Sequence, residues 1–119
     1  MSKHVQAADA DVAVIFGALA DPARLHIVQL LGGEPRRAGE LASAVGVSAP
    51  AMSRHLRVLL TAGIVTDERR AEDARLRYFR LQPRSMVAMQ AWLDQLQASW
   101  TEQLGSYQQH IADKWGSRP

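Results

Sequence analysis

The sequence contains no cysteine. That absence excludes disulfides, thiolate metal sites, iron–sulfur clusters and cysteine nucleophiles together. Long apolar runs are missing as well. None approaches the roughly 18 residues of a membrane span, and the N-terminus lacks the basic-then-apolar layout of a secretory signal. There is no internal repeat, no low-complexity stretch, no glycine-rich phosphate loop and no carboxylate pair spaced for acid–base chemistry. Ser53 and His55 cannot act as nucleophile and base, because positions i and i+2 diverge on a helix. Enzymatic activity is therefore not expected. What remains is 119 residues, 47% hydrophobic and 22% charged, a composition that suits one ordered domain and is too apolar for a disordered chain. A cytoplasmic location, with no membrane partner and no cofactor, is the default expectation.

Basic and acidic residues nearly balance, 14 against 12, for a net charge of +2. Their distribution is uneven. Eight arginines lie between Arg54 and Arg84 (positions 54, 57, 69, 70, 75, 77, 80 and 84) against Asp67, Glu68, Glu72 and Asp73, so that segment is +4 and the remainder −2. Twelve of the 14 basic residues are arginine, the residue suited to bidentate contact with phosphate or guanine. Clustered charge is either a solvated face or a nucleic-acid footprint, and the local pattern has to decide.

Residues 1–8 show no period and read as a flexible arm, leaving 9–82 as the core of one domain and 83–115 as a C-terminal helix. Val12, Ile15, Phe16 and Leu19 recur at helical spacing, with Asp9 or Asp11 available as cap. Asp21-Pro22 opens a second helix, which Gly32-Gly33 stops. Glu34 to Arg37 read as a turn, followed by a short helix over about 38–44. Gly46-Val47 turns the chain, and Ser48 caps a helix from Ala49 to about Ala62, with Pro50 in its first turn. Residues 64–69 and 75–81 read as two strands joined by the polar tip Arg70-Ala71-Glu72-Asp73-Ala74, which lacks an Asn-Gly or Asp-Gly turn and is expected to be mobile.

A short helix, a tight turn and a capped second helix form a helix-turn-helix, a unit able to lay its second helix in the DNA major groove. At about 100° per residue, Met52, Leu56 and Leu59 share one stripe, while Pro50, Ser53, Arg54, Arg57 and Thr61 lie opposite. The small residues Ala49 and Ala51 beside that polar face let the backbone sit deep in a groove, and the positive helix end near Ser48 attracts phosphate. The hairpin, flanked by Arg69, Arg70, Arg75 and Arg77, forms a wing that reaches an adjacent groove or backbone. Val65, Phe79 and Leu81 pin it to the core.

Four stretches carry a resemblance. These are Leu19-Ala20-Asp21-Pro22-Ala23-Arg24, the run from Val47 to Leu59 (VSAPAMSRHLRVL), Ala62-Gly63-Ile64-Val65, and Tyr78-Phe79-Arg80-Leu81. Over about residues 11–110 the chain resembles the ArsR-type winged-helix repressors. The resemblance implies a bacterial homodimeric transcriptional regulator, usually a repressor on a palindromic operator of double-stranded DNA near its own promoter. It gives Ser48, Ala49, Pro50, Ser53, Arg54 and Arg57 a role at the bases, and places His55 at the border of that face, where it packs the helix or contacts phosphate. The chain departs from the family's metal sensors. Where they carry two cysteines on the helix before the turn, this chain has Glu40-Leu41-Ala42-Ser43-Ala44-Val45, which removes a soft-metal site. Of a second family site on the last helix only His110 and Asp113 have the spacing. The partner positions are Gln97 and Ser99, and half a site does not hold zinc tightly. No metal is expected.

On the last helix Met89, Leu93, Leu96, Trp100, Leu104, Tyr107 and Ile111 recur at intervals of three and four. About thirty residues span about 45 Å, longer than the core of so small a domain. Burying Leu93, Leu96, Trp100, Leu104 and Tyr107 against a second copy, together with Val12, Ile15, Phe16 and Leu19 of the first helix, makes a two-fold dimer. Such a dimer sets two recognition helices roughly 34 Å apart, one DNA turn. A pocket between the dimer helices, lined by Trp92, Trp100 or Tyr107, could admit an apolar ligand, though aromatics so spaced are more often interface core. Gly105 is a candidate kink. The expected fold is mainly α with a small β-hairpin, a winged helix-turn-helix of order α-α-α-α-β-β-α that dimerises through its first and last helices. The competing reading is a winged helix that binds protein or RNA without operator specificity, for which the wing-tip acids Glu72 and Asp73 leave room.

Overall fold

Asp21 makes the first corner. Its backbone is extended (φ −153°, ψ 126°) and its carboxylate accepts hydrogen bonds from the Ala23 and Arg24 N–H groups at 2.8 and 3.2 Å. These satisfy donors that a helix start leaves unpaired. In the computed structural model, which describes residues 7–115, α1 (Ala7–Leu19) ends before this corner and α2 (Pro22–Leu31) begins after it. α1 starts earlier than the expected arm allows, so residues 7 and 8 are helical and Asp9 and Asp11 lie inside the helix instead of capping it. Residues 1–6 of that arm fall outside the described residues.

A strand follows where a turn was expected. β1 (Arg36–Arg37) pairs antiparallel with the later strand β3 (Arg77–Leu81), Arg36 opposite Phe79 and Arg37 opposite Tyr78. The sheet therefore has three strands in the order β1-β3-β2, with β2 (Val65–Arg69) on the other edge. Two charged residues carry no period-2 signal. Arg36–Arg37 is a strand only because the outer edge of β3 offers unpaired backbone groups.

α3 (Ala38–Val45) and α4 (Ala49–Thr61) form the helix-turn-helix. Gly46 takes the left-handed conformation between them (φ 80°, ψ 36°), where glycine avoids the Cβ clash. The Ser48 side chain then caps α4, accepting from the Ala51 N–H at 3.2 Å. Ile27, Leu41, Met52, Leu59 and Ile64 are completely buried, and Phe79 seals the sheet side at 2% exposure. One core therefore joins α2, α3, α4 and the base of the wing.

α5 (Pro83–Trp115) runs unbroken for 33 residues, through Gly105. Its first turns pack on the core through Met86, Ala88 and Met89. Phe16 of α1 meets Trp92 edge-on, with ring centroids 5.5 Å apart. Beyond that point the helix leaves the body. The molecule measures 76 × 32 × 24 Å with a radius of gyration of 20.8 Å, against about 13–14 Å for a compact chain of this length. No single described helix is both long and apolar enough to cross a membrane.

Candidate nucleic-acid interface

The buried stripe of α4, Met52, Leu56 and Leu59, fixes which side of the helix faces out. Ser48, Ala49, Pro50, Ser53, Arg54 and Arg57 are exposed on that outer side. Neither Arg54 nor Arg57 forms an ion pair among the described residues. Both guanidiniums therefore project five donors each with no carboxylate to occupy them.

His55 points elsewhere. It is half-buried, and its Nδ1 lies 3.2 Å from Nη1 of Arg24 on α2. Arg24 also donates from Nε to the Ala18 carbonyl at 2.5 Å and sits 3.9 Å from the Asp21 carboxylate. The position grouped with the DNA-facing residues is thus committed through this nitrogen to a contact inside the protein. Sequence reading quoted Arg24 only within a motif. Its tie to a residue 31 positions away has no local signature.

The wing arginines all have partners within the chain. Arg69 donates to the Ala74 carbonyl at 2.8 Å across the tip, and Arg70 lies 3.9 Å over the Tyr78 ring. Arg75 grips both oxygens of Asp73 at 3.0 Å. That grip holds the Asp73 carboxyl below its ordinary range and raises the guanidinium of Arg75. Arg77 pairs with Asp67 and lies 4.8 Å from the Phe79 ring centroid, and Arg80 approaches Glu68 at 3.8 Å. Register explains the last two pairs. Asp67 faces Phe79 and Glu68 faces Tyr78, so Arg77 and Arg80 are diagonal neighbours on opposite sheet faces. Of the eight arginines in the basic segment, these three are neutralised. The net +4 then rests on Arg54, Arg57, Arg69, Arg70 and Arg84 against the single remaining acid, Glu72.

Helix and wing share one surface. A cleft of about 280 Å³ between them is lined by Ser53, Leu56, Arg57, Arg77 and Phe79. Arg77 also lines a neighbouring cleft of about 570 Å³ with Arg37, Gly39, Glu40, Ser43 and Arg75. Arg37 was not expected there. β1 pairing brings it to the wing, and Glu40 accepts from its backbone N–H at 2.9 Å.

The residues expected at a dimer interface separate into two groups. Val12 and Ile15 are each 4% exposed, Phe16 is taken up by Trp92, and Leu19 packs on the core, so the first-helix set is largely buried within the protomer. Leu96 is half-buried. Leu93, Trp100, Leu104 and Tyr107 are 44–63% exposed, Val14 is 54% exposed and Ile111 39%. Trp92 is half-buried against Phe16, while Trp100 and Tyr107 are exposed farther along α5. His110 and Asp113 are exposed on α5, and Asp113 accepts from Gln109 at 2.9 Å. Among the described residues no three His, Asp or Glu side chains cluster as metal ligands would.

Residues 19–68 match the sequence profile of a helix-turn-helix domain family. The chain is 43% identical over 94 residues to the HTH-type transcriptional regulator Rv2034 of Mycobacterium tuberculosis, covering 79% of this chain and 82% of that protein. Among solved structures it resembles an ArsR-like transcriptional regulator from Rhodococcus sp. RHA1, with a TM-score of 0.74 and 28% identity over 84% of this chain and 92% of that one. It also resembles a homodimeric winged helix-turn-helix DNA-binding domain from Mycobacterium bovis, described as a possible ArsR-family regulator. There the TM-score is 0.57 and the identity 26%, over 80% of this chain and 82% of that one.

Proposed function

The chain belongs to the ArsR-type winged helix-turn-helix transcriptional regulators, which bind DNA, and from that premise we propose that it is a homodimeric repressor of a palindromic operator with no metal-sensing site. Ser53, Arg54 and Arg57 read base edges. Ser48, Ala49 and Pro50 bring the helix start close to the groove floor, and Arg69, Arg70, Arg75 and Arg77 hold phosphates. The observation that carries this reading is the outer face of α4, where Arg54 and Arg57 stand exposed and unpaired beside the wing.

Dimerisation is supported by α5. Leu93, Trp100, Leu104, Tyr107 and Ile111 form an exposed apolar stripe on a helix that leaves the core, the kind of surface that marks a protein–protein contact. The Mycobacterium bovis neighbour is itself homodimeric. Pairing these stripes about a two-fold axis presents two copies of α4 to successive major grooves. In this reading the domain comprises residues 9–82 as DNA-binding core and 83–115 as dimerisation helix.

The test is fluorescence anisotropy of the protein on the duplex upstream of its own coding region, over a salt series, first with EDTA and then with zinc. Tight, salt-steep binding that exceeds random DNA and ignores zinc is expected. Zinc-dependent release would give His110 and Asp113 the role denied to them. Equal affinity for random DNA would favour a winged helix that binds protein or RNA. For the dimer, Leu104→Glu places a charge in the stripe, and sedimentation equilibrium should show monomer where the parent shows dimer.

A further inference from the structure

The contact between Arg24 and His55 constrains more than packing. Arg24 has an 18% exposed side chain that joins three elements. Its Nε donates to the Ala18 carbonyl at the end of α1, and its Nη1 lies 3.9 Å from Asp21 at the head of α2 and 3.2 Å from His55 Nδ1 on α4. A guanidinium has donors and no acceptor. The Nδ1 atom of His55 must therefore accept, which places the ring proton on Nε2 and requires a neutral imidazole. Protonation would put an N–H where the acceptor stands and set two cations at hydrogen-bond distance.

Of the acids on the elements packed against α4, Asp21 is the one whose charge couples to His55, and Arg24 already shares it. From α2, Asp21 is the acid at this corner, and its carboxylate is engaged by the Ala23 and Arg24 N–H groups and approached by the Arg24 side chain. On α3, the acid is Glu40, committed to Arg37. On β2, Asp67 is held by Arg77 and Glu68 faces Arg80. α1 contributes the Ala18 carbonyl, which Arg24 occupies. On α4 itself the neighbouring charges are the cations Arg54 and Arg57.

We propose that Arg24 is a positioning residue for DNA recognition, acting through neutral His55 to fix α4 against the α1–α2 corner, so that protonation of His55 loosens the reading helix. His55 directly follows Arg54 on α4, so a shift of this anchor moves the base-reading face with it. The inference rests on the DNA-binding reading. It adds a dependence on pH that phosphate attraction alone would give the opposite sign, since an added positive charge strengthens non-specific binding.

The experiment uses the full chain, with anisotropy on operator and on random duplex at constant ionic strength, at about pH 8 and about pH 5.5, on either side of the ordinary imidazole range. Operator affinity should fall about tenfold on acidification, the scale of one hydrogen bond to a charged group, while random-duplex affinity holds or rises. His55→Asn retains an acceptor in place of Nδ1 and cannot be charged. It should bind operator at about pH 8 within about threefold of the parent and lose the acid response. Arg24→Met should lose about tenfold in operator affinity, and adding it to His55→Asn should cost no more than the two separately, with thermal melts confirming the fold. An acid response in His55→Asn equal to the parent's overturns the proposal, as does a pH-independent parent. A parent with no operator preference at any pH overturns the DNA-binding reading instead. Should Arg24→Met fail to fold, the His55→Asn comparison still decides.

Discussion

The wing tip gives the sharpest quantitative test of how the arginines divide their work. Arg75 is almost fully exposed, yet its guanidinium is clamped on both oxygens of Asp73. An exposed pair of this kind is weak and salt-screened, so phosphate can compete for Arg75, but Asp73 opposes it with a negative charge at the contact point. Asp73→Asn removes the charge and keeps an oxygen to accept from the Arg75 backbone N–H, which now lies 3.0 Å from Asp73 Oδ1. The hairpin tip is therefore preserved. Completing a phosphate contact that Asp73 holds back steepens the slope of log affinity against log salt by up to about 0.9. Between 50 and 200 mM salt the variant should thus lose up to about 3.5-fold more affinity than the parent, while binding more tightly at the lower concentration. Because phosphates carry no sequence, operator and random duplex should respond alike. Arg75→Ala should flatten the slope, and the double variant should behave like Arg75→Ala. Anisotropy titrations at four or more salt concentrations measure all of this. Slopes that stay fixed in both single variants would mean that the tip never meets DNA, and the clustered charge would revert to a solvated face.

Arg54→Ala should weaken operator binding by about 1–3 kcal/mol and relax preference at the contacted base pair, with the fold unchanged. Equal operator affinity in parent and variant removes Arg54 from the reading face. Leu59 is completely buried under α4, so Leu59→Ala should destabilise the fold by about 2–5 kcal/mol in denaturant titrations. A smaller loss would mean that the core refills around the cavity. Asp21 titrates below its ordinary value, chiefly because the Arg24 backbone N–H bonds its carboxylate. The unfolded chain then binds that proton more readily, so stability from this cap is complete above about pH 4 and is lost as pH falls through the depressed folded-state value. Thermal melts across the acid range should show this loss in the parent and a shallower one in Asp21→Asn, and identical profiles would refute the capping role.

Much of the architecture was legible because it is written in local chemistry. Asp21-Pro22 and Ser48 with Pro50 each mark a helix start, and the structure places α2 and α4 at those caps. The burial of Met52, Leu56 and Leu59 follows from their shared helical face, which in turn leaves Ser53, Arg54 and Arg57 outside. β1 was not legible. Arg36 and Arg37 have no strand character of their own, and their backbone pairs because β3 had a free edge. The same long-range pairing brought Arg37 to the wing, where no local rule would put it.

Periodicity showed that α1 and α5 each carry an apolar stripe, and could not say which stripe meets the chain's own core and which is left over. The packing settles that division. Val12 and Ile15 are buried within the protomer, whereas Trp100, Leu104 and Tyr107 lie on a part of α5 that outruns the core. The charges follow the same logic. Sequence alone determined that the segment from Arg54 to Arg84 is basic, because composition is additive. Which arginines are spent on Asp67, Glu68 and Asp73, and which stand free on α4, depends on strand register and on distances between residues far apart in the chain. Caps and faces are properties of a few consecutive residues, while partners are properties of the folded whole.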